Sequence, residues 1–137
     1  MNEYALADIS MGMAEEFTVT VTTEMTTGFV EISGDVNPLH VDENYARDRG
    51  FRDRVIHGML TSTFYSTLVG VYLPGKHCLL QGMKITFHQP VFVGDRLRVR
   101  GEVTHVSEAM RVITVRGSIT NQDSQTVSKA QIQVGFI

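Results

Sequence analysis

The chain has 137 residues, of which 42% are hydrophobic and 20% are charged, so we expect one globular domain over residues 1–137 with its own core. The formal net charge of −3 argues against a nucleic-acid-binding protein, because such proteins usually present a basic surface. The single cysteine, Cys78, excludes an intramolecular disulfide, so we expect a buried thiol in a strand and a reducing compartment, the cytoplasm.

The N-terminal part predicts a strand followed by a helix. No secretory signal is expected, because the first residues lack both a basic start and an apolar run. Apolar and threonine side chains alternate over Phe17–Thr22, which is the period of a half-buried strand. Thr22 or Thr23 can cap the helix that follows, and Gly34 ends it. The apolar face of this helix is expected to contain Met25, Phe29 and Ile32.

The middle of the chain predicts a long buried helix. Residues 34–54 are polar and irregular, apart from one or two helical turns that Asp42 can cap. Residues 55–75 carry no charge other than a possible one on His57, but their many Thr, Ser, Gly and Pro residues argue against a membrane span. Apolar residues occupy nearly every face: Leu60, Phe64, Leu68 and Val71 on one stripe, and Met59, Tyr65, Val69 and Leu73 on the others. Such a helix is enclosed by protein, and Pro74-Gly75 ends it.

The C-terminal half predicts an antiparallel sheet with one face in solvent. Four runs alternate between apolar and polar residues and are separated by short turns. Their apolar sides contain Met83, Ile85 and Phe87; Leu97, Val99 and Val103; Ile113, Val115 and Ile119; and Ala130, Ile132, Val134 and Phe136. A curved antiparallel sheet wrapped around one long buried helix is the hot-dog arrangement, an α+β fold. One helix covers only part of such a sheet, so we expect a homodimer or a dimer-based oligomer.

Asp35 and His40 lie five residues apart in the polar loop before the buried helix. Taken alone, they fit a turn acid after a helix-ending glycine and an incidental histidine. A calcium loop is excluded, because Leu39 stands where the next ligand belongs and His40 stands where the loop needs glycine. Histidine–glutamate metal motifs, phosphate-binding glycine loops and the Gly-x-Ser-x-Gly motif are all missing, so we expect neither a metal nor a cofactor.

A longer motif surrounds this pair. It runs Ser33-Gly34-Asp35-Val36-Asn37-Pro38-Leu39-His40-Val41-Asp42, followed by Tyr45-Ala46, Gly50-Phe51 and Arg54-Val55-Ile56-His57-Gly58-Met59-Leu60. The sequence resembles the MaoC-like dehydratases, and in particular the short single-hot-dog R-specific enoyl-CoA hydratases. The resemblance extends over the length of the chain, including the helix from Gly58 to Gly70 and Phe87-His88-Gln89-Pro90-Val91 before Gly94-Asp95.

The resemblance implies a lyase that interconverts a trans-2-enoyl-CoA and an (R)-3-hydroxyacyl-CoA. It implies that Asp35 and His40 hold one catalytic water and that the backbone N–H of Gly58 donates to the thioester oxygen. This chemistry needs a base for the water, an acid for C2 and a stabiliser for the enolate oxygen, and histidine titrates nearest neutrality. The residues leave open which of Asp35 and His40 takes the proton from water.

Four further residues receive supporting roles from the resemblance. Ser66, two turns beyond Gly58 and on the same helix face, would support the catalytic pair by a hydrogen bond, and Asn37 would shape the loop through its amide. Val69 and Val134 match positions that line the acyl pocket, with ordinary core packing as the alternative. Outside the motif, we expect His57 to be structural, and a strand face that carries Arg96, Arg98 and Arg100 to be solvated. A role for these arginines or Lys84 in binding the phosphates of coenzyme A is the alternative.

Other functions remain open at this point. The same chemistry could act on acyl carrier protein thioesters, which would make the chain a 3-hydroxyacyl-acyl-carrier-protein dehydratase. A hot-dog thioesterase is less favoured, because the Asp–Asn–Pro–His segment belongs to the hydratase pattern. A non-catalytic acyl-binding subunit would be expected to lack Asp35 or His40, and both are present. The expected partners are thus an acyl-CoA thioester and a second copy of the chain, with neither nucleic acid nor membrane.

Overall fold

A computed structural model describes residues 1–137 as one antiparallel sheet and a set of helices on one of its faces. The α-helices are α1 (Thr23–Ser33), α2 (Pro38–Val41), α3 (Glu43–Asp48) and α4 (Gly58–Thr67), and α4 continues into a π-helical turn at Leu68–Tyr72. The strands are β1 (Ala14–Thr20), β2 (Cys78–Phe87), β3 (Arg96–Ser107), β4 (Val112–Thr120) and β5 (Thr126–Phe136).

The five strands follow the order β1-β3-β4-β5-β2, and every neighbouring pair is antiparallel. The alternation predicted from the sequence is confirmed in β3 and β4, where buried and more exposed residues succeed one another. β1 begins three residues earlier and ends two residues earlier than predicted, and β2 begins at Cys78 rather than near Met83. β1 and β2 form the two edges of the sheet, and β2 is the longer edge.

The core lies between the concave face of the sheet and α4 with its π-helical turn. Tyr65 and Leu68 are fully buried there. Two glycines, Gly101 in β3 and Gly117 in β4, are paired directly across the sheet. A Cβ atom at Gly117 would lie 2.6 Å from Cε1 of Tyr65, and one at Gly101 would lie 2.7 Å from Cδ2 of Leu68. The helix can therefore approach the sheet this closely only because neither position carries a side chain.

Helix α1 begins and ends as the sequence predicts. The Thr22 side chain accepts a hydrogen bond from the Met25 amide at 3.3 Å, which caps the first turn. Gly34 adopts a left-handed conformation with φ of 70° and ends the helix. The expected apolar face is only partly correct, because Met25 and Phe29 pack on the core whereas Ile32 is 87% exposed. Ile32 lies beyond the edge of the core that α1 covers.

Helix α4 is less enclosed than predicted. Its inner side is buried, but an outer face made of Met59, Thr63, Ser66 and Thr67 is exposed, with Met59 63% exposed. The prediction of apolar residues on every side overlooked that three of these four residues are polar, at the spacing of one helical face. None of the helices combines the length and the apolar character that crossing a bilayer requires.

Candidate active site

The loop between α1 and α4 is organised by short-range hydrogen bonds. The Asn37 side chain accepts a hydrogen bond of 3.0 Å from the Leu39 amide and so caps α2, whose first residue is Pro38. This arrangement is favourable because proline needs no hydrogen-bond acceptor at that position. The short helix α2 was not predicted. It places His40 in the last turn and turns its ring toward the segment before α4.

His40 is held in one tautomer by the main chain. Its Nδ1 lies 2.6 Å from the carbonyl oxygen of Val55. A carbonyl oxygen can only accept a hydrogen bond, so Nδ1 must carry the proton. In the neutral ring this leaves a lone pair on Nε2, which has no hydrogen-bond partner within the chain. His40 can therefore accept a proton through Nε2.

Asp35 follows the helix-ending Gly34 and is half-exposed at its side chain, with 49% of it accessible. One carboxylate oxygen, Oδ1, accepts the Asn37 amide at 3.1 Å. Its other oxygen, Oδ2, makes no hydrogen bond within the chain and remains available to a ligand. Asn37 makes two local hydrogen bonds, one through its main-chain amide and one through its side chain, and its role in shaping the loop stays a prediction.

The N-terminus of α4 supplies free backbone donors to the same place. The amides of Leu60 and Thr61 both donate to the His57 carbonyl, at 3.0 and 3.3 Å. The amides of Gly58 and Met59 have no carbonyl four residues earlier in the helix, and no side chain caps this end. Such an end attracts negative charge, because the helix dipole and the unpaired N–H groups act together.

These groups converge on one cleft of about 520 Å³. Asp35, His40 and Gly58 all lie in its wall. The remaining wall is formed by the segment before α4, the first turn of α4, the end of β2, the segment that follows β2 and the start of β5: Val55, Ile56, His57, Met59, Thr61, Phe87, His88, Gln89, Pro90, Val91 and Val127. A carboxylate, a histidine lone pair and a free helix N-terminus thus face one space whose wall is partly apolar, which suits acid–base chemistry beside a carbonyl group.

Comparison with known proteins identifies the family of this chain. The profile described as a MaoC-like domain matches residues 6–127. The chain belongs to the MaoC-like domain family. An (R)-specific enoyl-CoA hydratase from Aeromonas caviae is 38% identical over 94 residues, covering 69% of this chain and 70% of that protein. An enzyme of the same name from Rhodospirillum rubrum is 32% identical over 113 residues, covering 82% and 78%.

A solved structure also resembles this MaoC-like chain along nearly its whole length. An A. caviae (R)-hydratase involved in PHA biosynthesis aligns with a TM-score of 0.89 and 29% identity. The alignment covers 94% of this chain and 98% of that one. The predicted α+β hot-dog fold and the predicted family are therefore confirmed.

Ser66 does not meet the catalytic pair within one chain. It is exposed, and its hydroxyl makes no hydrogen bond to Asp35 or His40. Eight residues along an α-helix amount to a rotation of about 80° beyond two full turns and a rise of about 12 Å. Ser66 therefore does not share the face of Gly58, as the sequence analysis assumed, but lies on the exposed outer face of α4.

Val69 and Val134 are core residues that stay outside the wall of the cleft. They are 1% and 0% exposed, respectively. Val134 pairs with Leu80 and Ile113 in the sheet, and both valines belong to the main hydrophobic cluster. In this conformation the ordinary core packing that the sequence left as an alternative describes them.

The arginines of β3 lie on the solvated face of the sheet. Arg98 donates to Glu16, which holds the pKa of that carboxyl below its usual value. Arg100 donates to Glu102 at 3.0 Å and lowers the pKa of Glu102 in the same way. Arg96 is exposed on the same strand. None of the three lines the cleft, which favours the prediction of a solvated strand face.

His57 is the site residue that sequence reasoning undervalued. Its side chain is 1% exposed and lines the cleft beside His40, with 3.9 Å between the ring centroids. Nitrogen and oxygen atoms of Asp35, His40 and His57 lie within 4.8 Å of one another, a spacing that could suit a metal ion. However, His57 Nε2 lies 3.0 Å from the main-chain oxygen of Asp35, so this nitrogen carries a proton and cannot be a metal ligand. The other ring nitrogen, Nδ1, is buried.

Proposed function

We propose that this chain is a hydratase that adds water to a trans-2-enoyl-CoA and forms an (R)-3-hydroxyacyl-CoA. Asp35 and His40 hold and activate the water, and the Gly58 amide stabilises the thioester oxygen. The observation that carries the proposal is the convergence of these three groups on one cleft. The names of the similar proteins from A. caviae and R. rubrum agree with this activity.

The polar groups in the wall of the cleft suit the reaction. Water attacks C3 with its oxygen, one of its protons passes to the Asp35–His40 pair, and the pair returns a proton to C2. The protein therefore ends the cycle in the protonation state in which it began. As C3 is attacked, negative charge develops on the thioester oxygen, where a preorganised N–H contributes about 10²–10³-fold in rate. Positioned acid–base groups contribute roughly 10²–10⁴-fold more.

The proposal includes a homodimer formed through the β2 edge. β2 is a ten-residue edge strand without a neighbour on its outer side, and it carries one charged residue, Lys84. Leu79, Leu80 and Phe87 are 42–49% exposed along it. A long edge with exposed apolar side chains and a single charge favours pairing with another strand. Pairing with β2 of a second copy gives a closed dimer with two-fold symmetry. The strand at the other edge, β1, is shorter and so offers less length for such pairing.

The experiment is a hydration assay with crotonyl-CoA, followed by the ultraviolet absorbance of the conjugated thioester. The wild-type protein is expected to lower this absorbance and to form 3-hydroxybutyryl-CoA. Asp35→Asn and His40→Ala are each expected to reduce kcat by about 10²-fold or more, because each removes one member of the proton-handling pair. Arg96→Ala, on the solvated sheet face, serves as the matched control and is expected to leave kcat unchanged.

Three results would contradict the proposal. Unchanged absorbance with wild-type protein over several acyl chain lengths would exclude the hydratase activity. Wild-type rates in both folded variants would exclude Asp35 and His40 as the acid–base pair. The appearance of free thiol in place of the hydroxyacyl product would assign the cleft to thioester hydrolysis.

A further inference from the structure

His57 is almost fully buried in the wall of the candidate active site, as is Thr61, and the proposed chemistry assigns His57 no proton. It is the residue immediately before α4, but its side chain does not cap that helix. Its Nε2 atom contacts the Asp35 main chain, and its ring lies against the His40 ring. It therefore touches both members of the proton-handling pair from inside the protein.

We propose that His57 is a positioning residue that holds the Asp35 main chain through its Nε2–H and supports the His40 ring with its face. The inference rests on the proposed function for its kinetic consequence, but its structural content can be measured without any substrate. His57 touches no reacting atom in this scheme. It fixes the positions of Asp35 and His40, which do.

The hydrogen bond to Asp35 defines the tautomer of His57. The acceptor is the main-chain carbonyl oxygen of Asp35, 3.0 Å from Nε2. Since that oxygen can only accept, Nε2 carries the proton, and Nδ1 of the neutral ring carries a lone pair. Nδ1 is buried and has no hydrogen-bond partner. The hydrogen bond from Nε2–H to Asp35 is therefore the one hydrogen bond that the His57 ring makes.

For Asp35, His57 provides the connection to the rest of the fold. The other hydrogen bonds of Asp35 are local: its amide donates to the Ser33 hydroxyl, and its Oδ1 accepts the Asn37 amide. The bond from His57 is the one that ties Asp35 to a distant part of the chain, 22 residues away. Without it, the nearest hydrogen bonds between this loop and the segment before α4 would be those of Leu39 and His40 with Val55, four and five residues beyond Asp35.

For His40, the ring of His57 restricts the one rotation that the Val55 hydrogen bond leaves free. That bond fixes the position of Nδ1 but allows the ring to turn about the line to the carbonyl oxygen. The two imidazoles stack with an interplanar angle of 28°. On another side, Phe29 contacts His57 with 4.9 Å between ring centroids, so His57 itself is confined. The direction of His40 Nε2 follows from this stack.

Three variants separate the two contacts. His57→Gln keeps an N–H at the same number of bonds from the main chain but loses the ring. His57→Phe keeps an aromatic ring but loses the donor, and His57→Leu loses both. We expect His57→Leu to lower kcat about 10²-fold, the loss typical of a misplacement near 1 Å, with KM within about twofold of the wild type. The Gln and Phe variants are each expected to recover about tenfold of that loss.

The matched control is His105→Leu, the same substitution at an exposed histidine of β3 that does not line the cleft. Its kcat, normalised to folded protein by circular dichroism, is expected to remain within about threefold of the wild type. A purely structural role would give equal kcat per folded molecule in all three His57 variants. Equal values, or a wild-type kcat in His57→Leu, would overturn the proposal.

Nitrogen-15 NMR of the histidine side chains tests the same inference without substrate. The expected spectrum shows a proton on Nε2 of His57 and a proton on Nδ1 of His40. A His57 ring that carries a proton on Nδ1 and none on Nε2 would overturn the positioning scheme whatever the enzyme activity. If the wild-type protein shows these tautomers but hydrates no enoyl-CoA, the proposed function fails and the positioning geometry of His57 stands.

Discussion

The substitution Gly58→Ala tests the free helix N-terminus more sharply than any change to a side chain of the site. A Cβ atom at this position would lie 3.0 Å from Cε1 and Cζ of Phe87, across the wall of the cleft. Ordinary carbon contacts lie near 3.5–4.0 Å, so the phenyl ring must move by about half an ångström. Phe87 is 49% exposed, so its ring can move outward at little cost.

The expected change in stability is therefore small, whereas the expected change in activity is large. The steric cost of about 1 kcal/mol is offset by the better helix propensity of alanine, which is worth up to about 1 kcal/mol. The added methyl group, however, occupies the space in which the thioester oxygen must come to about 3 Å from the residue 58 amide. Loss of one such donor corresponds to about 10²–10³-fold in kcat, or roughly 3–4 kcal/mol of transition-state stabilisation.

The assay is steady-state hydration of crotonyl-CoA combined with a thermal melt of the same sample. Gly28→Ala in α1 is the matched control, since a Cβ atom there would contact nothing within 4 Å. We expect Gly58→Ala to melt within a few degrees of the wild type and to lose most of its kcat, while the control keeps its activity. A stable Gly58→Ala protein with wild-type kcat would refute the assignment of the oxyanion donor.

Two further predictions concern assembly and stability. Light scattering is expected to report a dimer for the wild type and for Ala14→Lys on the β1 edge, but a monomer for Leu79→Lys on the β2 edge. A dimeric Leu79→Lys protein would exclude the β2 edge as the dimer interface. Burial raises the pKa of Tyr65 from 10.0 to about 12, although its hydrogen bond with Ser128 acts in the opposite direction. The corresponding stability is fully present below pH 10 and is lost as the pH rises toward 12, because the tyrosine ionises at a lower pH in the unfolded chain. The total loss is about 2–3 kcal/mol. Urea titrations should show a shallower alkaline decline for Tyr65→Phe, and equal slopes would contradict the assigned pKa.

Features that depend on local chemistry could be predicted from the sequence. Thr22 and Gly34 carry their capping roles in their residue types, so the limits of α1 follow from them. The Asp35–His40 motif is recognisable in the same way, and both residues line the cleft. The sequence alternation in the second half also predicts the sheet, because its period of two has no helical counterpart.

Features that depend on how distant elements meet could not be predicted. The pairing of Gly101 with Gly117 beneath α4 requires the register of two strands and the depth of the helix together. The role of His57 depends on a carbonyl 22 residues earlier, which no local pattern reveals. The exposed outer face of α4 was missed for a different reason, since the apolar residues of the segment concealed a polar stripe at Thr63, Ser66 and Thr67.

The central claim is that this cleft adds water across the double bond of an enoyl thioester. The most direct measurement is mass spectrometry of the product formed from crotonyl-CoA in heavy-oxygen water. The expected product is a 3-hydroxybutyryl-CoA that carries one heavy oxygen on C3 and none in the thioester carbonyl. Label found in a free carboxylate, or crotonyl-CoA recovered unchanged and unlabelled, would contradict hydration in this cleft.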